Sequence, residues 1–574
     1  MAEGEAQEVA HPWEKSYPDN VDWNAPLPKA PLQRLLDDAV ARFADRPAID
    51  FMDKVTTYRE LGDLANRAAE GFQKLGVSKG TKVGILLPNC TNFVAVYYGV
   101  LKAGGTVVNV NPLYAIEEIK SQIEDSETDI LVTLDLSILY DKARIALDQT
   151  RLTHLVICPM ADMLPGLKKL LFPLVKRSEI AKIPRDARHV FFRKLTDNAG
   201  RPTPIEVDVD DDIAVLQYTG GTTGTSKGAM LTHANLSANV AQGAMMMSDA
   251  EEGREVMIGV LPLFHVFAMA VVMNFSIKIG AKMILLPRFE LDTVLKVIDK
   301  KRPTFFPAVP TIYIAINGHP DVAAGKFDLS SIKLCLSGGA SLPREVQEKF
   351  QELSGCTLVE GYGLSETAPI ATCNPITPGG SREGSLGVPV PSTVVDICAV
   401  DDPEKVLPQG EIGEICISGP QVMKGYWKRD EENKRAFAGG RFHTGDVGKI
   451  DEDGYVYLID RLKEVIIAGG YNIYPRHVEE AIYKHPSVLE VTVIGVDDAR
   501  RQQTVKAFVR LKDGESLTDD ALTDFLKDKL SPIEMPKQIE FRDELPKTII
   551  GKLSKKELVA EEAAKQGTAA AGSG

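Results

Sequence analysis

The chain has 574 residues, 44% of them apolar and 25% charged, and a formal net charge of −14. One domain usually takes roughly 100–200 residues, so a large body and at least one smaller unit are expected, with apolar content enough for a sizeable core. The acidic balance argues against a general nucleic-acid binder, which needs a basic surface.

The N-terminal run MAEGEAQEVAHPWEKSYP is acidic and lacks the apolar core of a signal peptide, which points to the cytoplasm. The seven cysteines are scattered, with no C-x-x-C spacing, so neither a disulfide framework nor a zinc site is suggested. Short apolar, β-branched runs then recur between helix-like stretches: VGILLP at Val83, TVVNVNP at Thr106, DILVTLD at Asp129 and HLVICP at His154. Three more follow, IAVLQYTGG at Ile213, MILLP at Met283 and KLCLSGG at Lys333. This alternation predicts an α/β fold with largely parallel sheets covered by helices.

Between Leu164 and Lys194, nine lysines and arginines face only Glu179 and Asp186, mixed with Leu and Phe. That composition suits an anionic lipid surface; a solvated surface insertion fits it too, and Pro165, Pro173 and Pro184 break any long helix. The run Leu261–Ile277 carries His265, Asn274 and Ser276 and stops at Lys278, short of a bilayer span, and reads as a buried core helix. From about Val388 to Gly419, short alternating runs separated by turn residues predict a small antiparallel β unit. The last hundred or so residues mix short strands with the helical stretch at Asp519, predicting a compact α+β domain.

Chemistry concentrates first in YTGGTTGTSKG, Tyr218 to Gly228, set directly after the apolar run IAVLQ. Gly220, Gly221 and Gly224 allow tight turns that point backbone N–H groups inward. The hydroxyls of Thr219, Thr222, Thr223, Thr225 and Ser226 add donors and Lys227 adds charge, so the loop is suited to an anion such as a phosphate. It is neither the Walker pattern nor a dinucleotide fingerprint. A flexible Gly/Ser/Thr linker has a similar composition, so other motifs must decide.

Those motifs are GYGLSET at Gly361, HTGD at His443, DRLKEVIIAGGYNIYP at Asp460 and LPKTIIGKL at Leu545. With the Tyr218 loop, their content and order resemble the adenylate-forming superfamily of acyl-CoA synthetases, luciferases and peptide-synthetase adenylation domains. The family loop reads close to (Y/F)TSGTTGxPKG; Gly220 and Ser226 depart from it. The phrases NVNPLY, GAMLTH, GPQVM and FRDELPKT look closest to bacterial long-chain fatty-acyl-CoA synthetases, and the resemblance runs from about Trp13 to Leu558.

The resemblance implies an N-terminal extension over 1–30 and a large body over 31–460, made of two β/α subdomains and a β-barrel-like unit. It further implies a mobile α+β domain over 461–560 with its hinge at Lys463, and a flexible tail over 561–574. The implied reaction is ATP-dependent ligation of a long-chain fatty acid to coenzyme A through an acyl-adenylate. Glu366 would hold Mg²⁺, with Thr219 a second oxygen ligand, which suits that hard cation.

By the same resemblance Gly338, Gly339 and Ala340 would approach adenine with their backbone, and Tyr362 would stack on it within Gly361–Gly363. Ser365 would take a family threonine's contact with the α-phosphate, and Asp446, backed by Arg461, would accept the ribose hydroxyls. Lys552 would bridge the carboxylate and an α-phosphate oxygen, yet Lys555 and Lys556 lie close to it and lysine clusters are usually solvated. For the thiol step the Gly469-Gly470 loop would replace the Lys552 loop. Where the family continues P-x-E-I-E this chain has His477 in place of the first glutamate.

His265 resembles the residue at the carboxylate end of the acyl pocket; a hydrogen-bonded core histidine is the plainer reading. The apolar run Phe267 to Met273 could line an alkyl tunnel or be simple core, with Met269 where some long-chain relatives carry a gating tryptophan. Fatty acid, ATP and CoA are the expected ligands, and nucleic acid is not. Peripheral contact with an anionic membrane and a homodimer complete the expected partners. An aryl or medium-chain ligase, an acyl-AMP ligase and a catalytically silent lipid-binding scaffold are the competing readings.

Overall fold

The computed structural model describes residues 11–219, 226–377, 379–468, 471–498, 502–548 and 553–571. They divide into two compact units, one formed by 1–394 with 418–437, the other by 395–417 with 438–574. The antiparallel β segment after Val394 is therefore grouped with the C-terminal residues.

In the first unit the apolar runs become strands. A seven-stranded sheet runs in the order His189–Phe191, His154–Cys158, Ile130–Leu134, Lys82–Leu86, Thr106–Asn109, Ile213–Thr219, Lys227–Thr232. All neighbours are parallel except the last pair, where Thr219 opposes Lys227. The strands Lys82–Leu86 and Ile130–Leu134 are buried at every position because helices cover both faces. A second sheet is built on Val256–Gly259 and Lys282–Leu285, and isolated bridges through Phe305 carry its pairing to Leu334–Ser337 and Thr357–Gly363.

The apolar stretch expected as a core helix is buried but is not a plain α-helix: Ala268–Asn274 is a π-helix, followed by an α-helical turn Phe275–Ile279. No described helix is long and apolar enough to cross a membrane. All seven cysteines are buried free thiols.

Thr232 caps the helix His233–Met246, its hydroxyl accepting the Asn235 amide. His233, the first helical residue, is buried, and its Nδ1 accepts the Leu32 amide at 3.1 Å. Burial lowers its pKa from 6.5 to about 4, with Lys79 adding to the shift and Asp212 opposing it; a helix N-terminus disfavours a cation as well. The folded chain thus binds this proton less readily than the unfolded chain, so stability is full above pH 6.5 and is lost as pH falls towards 4, by about 3 kcal/mol. Asn at 233 keeps an acceptor without the titration. Urea denaturation should therefore show the gap between wild type and His233→Asn narrowing from pH 7 to pH 4.5; a constant gap would mean that His233 is not held neutral.

In the second unit, Val394–Cys398, Gly413–Ser418, Phe442–Ile450 and Val456–Arg461 form a four-stranded sheet, in line with the β unit expected from the sequence. Farther along the chain, Val488–Asp498 and Gln502–Leu511 pair antiparallel through ten residue pairs, Gln538–Phe541 adds in parallel, and the helices Pro475–Tyr483 and Asp519–Leu526 bury Val478, Ile482, Leu522 and Leu526.

Candidate active site

In the first unit, several of the sequence motifs meet. The strands that flank the phosphate loop end at Thr219 and Lys227, and Ser226 Oγ donates to the Thr219 carbonyl at 2.7 Å. Gly220, Gly221, Thr222, Thr223, Gly224 and Thr225 lie outside the described residues. Lys227 Nζ sits 2.5 Å from Glu432 Oε2 and 5.2 Å from the centroid of the Tyr426 ring. A phosphate drawing this ammonium would compete with Glu432.

Glu366 lies in a single 3₁₀ turn, Ser365–Thr367, after the strand Thr357–Gly363. It is buried, and Tyr426 Oη donates to its Oε1 at 2.7 Å. Segment 423–427 stitches this turn to the loop's second strand: the Met423 amide donates to the Glu366 carbonyl, the Met230 amide to the Gly425 carbonyl and the Trp427 amide to the Gly228 carbonyl. The phenol is neutral, its pKa raised by burial and by the Glu366 charge, so this contact orients the carboxylate without neutralising it. Oxygen donors from Glu366 and Thr219 fit the chemistry of Mg²⁺. Tyr426 was not singled out by sequence reasoning; it lies sixty positions beyond Glu366 and only the nearby phrase GPQVM hinted at the segment.

Glycines of GYGLSET and SGGA are closely packed, and one of them is required sterically. A Cβ on Gly363 would lie 1.8 Å from the Pro369 carbonyl oxygen, so only glycine fits. Gly338 is buried, and a Cβ there would sit 3.2 Å from the Phe267 ring and 3.5 Å from the Gly361 carbonyl oxygen, which puts SGGA, GYG and PLFHVF side by side. Gly339 and Ala340 are exposed, and Tyr362 and Ser365 are half-buried.

His265 is positioned from two directions. Asn89 accepts the Leu263 amide and donates to the Leu261 carbonyl, at 2.7 and 2.8 Å. Gln217, on the strand leading into the phosphate loop, donates to the Phe264 carbonyl at 3.1 Å. His265 Nδ1 accepts the Phe267 amide at 3.3 Å, and the side chain is half-buried rather than sealed in the core. Met269 is fully buried, with its sulfur 3.3 Å from Asn109 Nδ2. Ala270, Val271 and Phe275 line a narrow apolar void with Gly243, Met247 and Ile370.

In the second unit, Asp446 and Arg461 are cross-strand partners, and Arg461 Nε lies 3.2 Å from Asp446 Oδ1. Asp446 is buried while the arginine is half exposed. Glu414 braces the turn before Asp446: its Oε1 accepts the Gly445 amide and its Oε2 faces His443 Nδ1, both at 2.8 Å. Glu414, Cys416 and His443 offer ligand atoms within 4.8 Å of one another, but these hydrogen bonds already account for both carboxylate oxygens.

Lys463 is exposed in the turn after Arg461, and Gly469, Gly470 and Lys552 lie outside the described residues. Lys555 is held between Glu464 at 2.9 Å and Glu479 at 3.0 Å; burial would lower its pKa, but the carboxylates of Glu479, Glu464 and Asp460 raise it. Asp460 accepts the Arg461 and Arg476 amides, and burial lifts its pKa to about 6 against the pull of Lys555. His477 pairs with Glu534 at 2.8 Å.

The first unit thus brings a phosphate-loop frame together with a buried carboxylate, a glycine-lined edge and a narrow apolar void, and the second carries an arginine-backed carboxylate: the equipment of a nucleotide-dependent acid-activating enzyme. Residues 36–427 match the AMP-binding enzyme family and residues 477–552 the AMP-binding enzyme C-terminal domain. The chain belongs to the AMP-binding enzyme family. It is 45% identical to a long-chain-fatty-acid–CoA ligase of Bacillus subtilis, covering 96% of this chain and 98% of that one. It is 36% identical to a long-chain-fatty-acid–CoA ligase of Escherichia coli O6:H1, covering 95% and 97%. The crystal structure of ATP-bound MatB from Rhodopseudomonas palustris is similar with a TM-score of 0.80 at 28% identity, over 92% of this chain and 98% of that one.

Proposed function

We propose that the chain joins a long-chain fatty acid to coenzyme A at the expense of ATP, through an acyl-adenylate, releasing pyrophosphate and then AMP. The observation that carries this is Glu366, a buried carboxylate fixed by Tyr426 against the frame of the phosphate loop. A fatty carboxylate is a poor acyl donor because its leaving group would be oxide, so it must first displace pyrophosphate at the α-phosphorus. That step brings anions together, and catalysis must come from positioning and charge neutralisation.

Glu366 and Thr219 would hold Mg²⁺, which when bound would supply charge neutralisation at the phosphates. The amides and hydroxyls of 219–226 with Lys227 cradle the phosphate oxygens, Ser365 contacts the α-phosphate, and Gly338 to Ala340 with Tyr362 hold adenine. Asp446 and Arg461 hold the ribose, His265 meets the acid's carboxylate end, and Lys552 offsets charge during adenylation. The domain beyond Arg461 swivels about Lys463 between half-reactions, exchanging Lys552 for the Gly469-Gly470 loop at the site. The enzyme works in the cytoplasm at an anionic membrane face, as a homodimer.

A coupled assay with ATP, CoA, saturated acids from acetate to stearate, and benzoate tests the reading. Turnover should rise with chain length and yield AMP and acyl-CoA together. AMP without thioester would leave an acyl-AMP ligase, a preference for benzoate or hexanoate an aryl or medium-chain ligase, and no turnover with any acid a lipid-binding scaffold. The void beside Gly243 gives a sharper expectation, since a Cβ there would already be 3.2 Å from Ile370 Cδ1. Gly243→Leu should shift the preference to shorter acids, cutting kcat/KM for palmitate about tenfold or more while sparing octanoate, as one or two methylenes in an apolar pocket decide 10–200-fold. Equal losses for both acids would remove the void from the acyl path.

A further inference from the structure

The helix Gly166–Val175 is amphipathic in the inverted sense. Leu167, Leu170, Leu171 and Leu174 recur at the spacing of one helical face and, with Val175, are 43% to 74% exposed, while no residue of the helix is buried. Five of the sixteen exposed large apolar residues among the described ones sit on these ten positions. The polar face is the tethered one: Lys168 Nζ lies 2.7 Å from Asp53 Oδ2, and Lys169 Nζ lies 3.1 Å from Asp162 Oδ1. An ordinary surface helix turns its leucines inward and its lysines to water.

The margins of this face continue its character. Ile138 is 73% exposed, and the adjacent Ser137 amide donates to the Glu179 carbonyl, which places it beside the segment that follows the helix. Arg177, Lys182, Arg185 and Lys194 are exposed and have no ion-pair partner among the described residues. A cationic rim around an outward leucine face, on a chain of net charge −14, fits one chemistry best. Nucleic acid would be drawn to the charge but would gain nothing from the leucines, and an acidic peptide would need a groove where this surface is a convex helix.

We propose that the helix Gly166–Val175 inserts its leucine face into the headgroup boundary of an anionic bilayer, with the basic rim held at the lipid phosphates. Ten residues rise about 15 Å, half of the roughly 30 Å hydrocarbon core, so the helix lies in the interface and does not cross it. The inference deepens the membrane contact named above and rests on the fatty-acid reading for its purpose: a long-chain acid partitions into lipid, and a docked enzyme would collect it there.

Flotation of the full-length protein with phosphatidylcholine vesicles, with and without phosphatidylglycerol, tests it. Wild type should float with the anionic vesicles, and high salt should release it. The double variant Leu170→Ser with Leu174→Ser, and the triple variant Arg177→Glu, Lys182→Glu, Arg185→Glu, should each lose binding by about tenfold or more. Both should keep wild-type turnover of octanoate in solution, because none of these residues belongs to the candidate site, and lose turnover of palmitate delivered in anionic vesicles.

Equal flotation of wild type and the leucine variant would overturn insertion, as would a wild type that stays in the buffer. Conversion of a dimer to a monomer by the leucine variant, with no vesicle binding by wild type, would reassign the face to a second copy of the chain. Absence of turnover with any acid beside intact vesicle binding would count against the ligase reading and leave the docking helix standing.

Discussion

Glu366→Gln is expected to slow acyl-adenylate formation by about 10²–10³-fold, or about 3–4 kcal/mol of transition-state stabilisation. Glutamine has the same length and keeps an oxygen to accept the Tyr426 hydroxyl, so the bonds that join the 3₁₀ turn to segment 423–427 should survive. What disappears is the negative charge proposed to hold Mg²⁺. Substrate-dependent exchange of labelled pyrophosphate into ATP measures the step directly, and raising the magnesium concentration should recover part of the loss. A merely structural carboxylate would behave differently: melting would shift, and magnesium would recover nothing. Tyr426→Phe separates orientation from charge, since it removes one hydrogen bond to a carboxylate that stays charged and so should cost far less than the loss of the charge itself. An exchange rate for Glu366→Gln within a few-fold of wild type would remove Glu366 from the metal site.

The sequence made the first unit legible where local chemistry is self-sufficient. Runs such as VGILLP and DILVTLD are mostly apolar, and their strands, Lys82–Leu86 and Ile130–Leu134, are buried at every position in a parallel sheet. Gly363 is legible for a related reason, because the GYG turn passes so close to Pro369 that no side chain fits.

Residues that act through space left no such mark. Tyr426 reaches Glu366 only after the chain has traversed the intervening strands, and nothing in its neighbours' composition announces the contact. Glu414 is one more strand glutamate until the Gly445 amide and His443 are seen against it. The basic segment after Leu164 read equally as membrane contact or solvated insertion, because composition does not tell which face of a short helix is tethered; Asp53 and Asp162 decide that. Pro173 falls inside the ten-residue helix, where it lacks the amide that would bond the fourth residue before it, and the helix ends two residues later at Val175, so the prolines limited the helix without preventing it. The π-helix was out of reach for a similar reason, since apolar content over Ala268–Asn274 predicts burial but not winding.

Lys552→Ala should produce the largest asymmetry between the two half-reactions. Adenylation, in which the amine is proposed to lie between two anions, should fall by about 10²–10³-fold, whereas thioester formation from supplied acyl-AMP and CoA should stay within a few-fold of wild type. Of the two lysines that made this assignment ambiguous in the sequence, Lys555 is committed elsewhere, shared between Glu464 and Glu479, and Lys556 is exposed; Lys547, before the segment, pairs with Glu490 at 2.6 Å. The described flanks of the Lys552 segment are tied together, the Ser554 amide donating to the Pro546 carbonyl and Lys547 pairing with Leu553, while Leu545 and Leu558 anchor them in a shared core. An alanine at 552 therefore removes an amine from a segment whose flanks are fixed independently of it. Lys555→Ala is the control with the opposite signature: it strips Glu464 and Glu479 of their shared cation, so it should lower the melting temperature and reduce both half-reactions together. If Lys552→Ala also reduced both steps alike, or left pyrophosphate exchange untouched, the amine could not be the group that offsets charge in the first transition state, and the ligase would need another cation for that role.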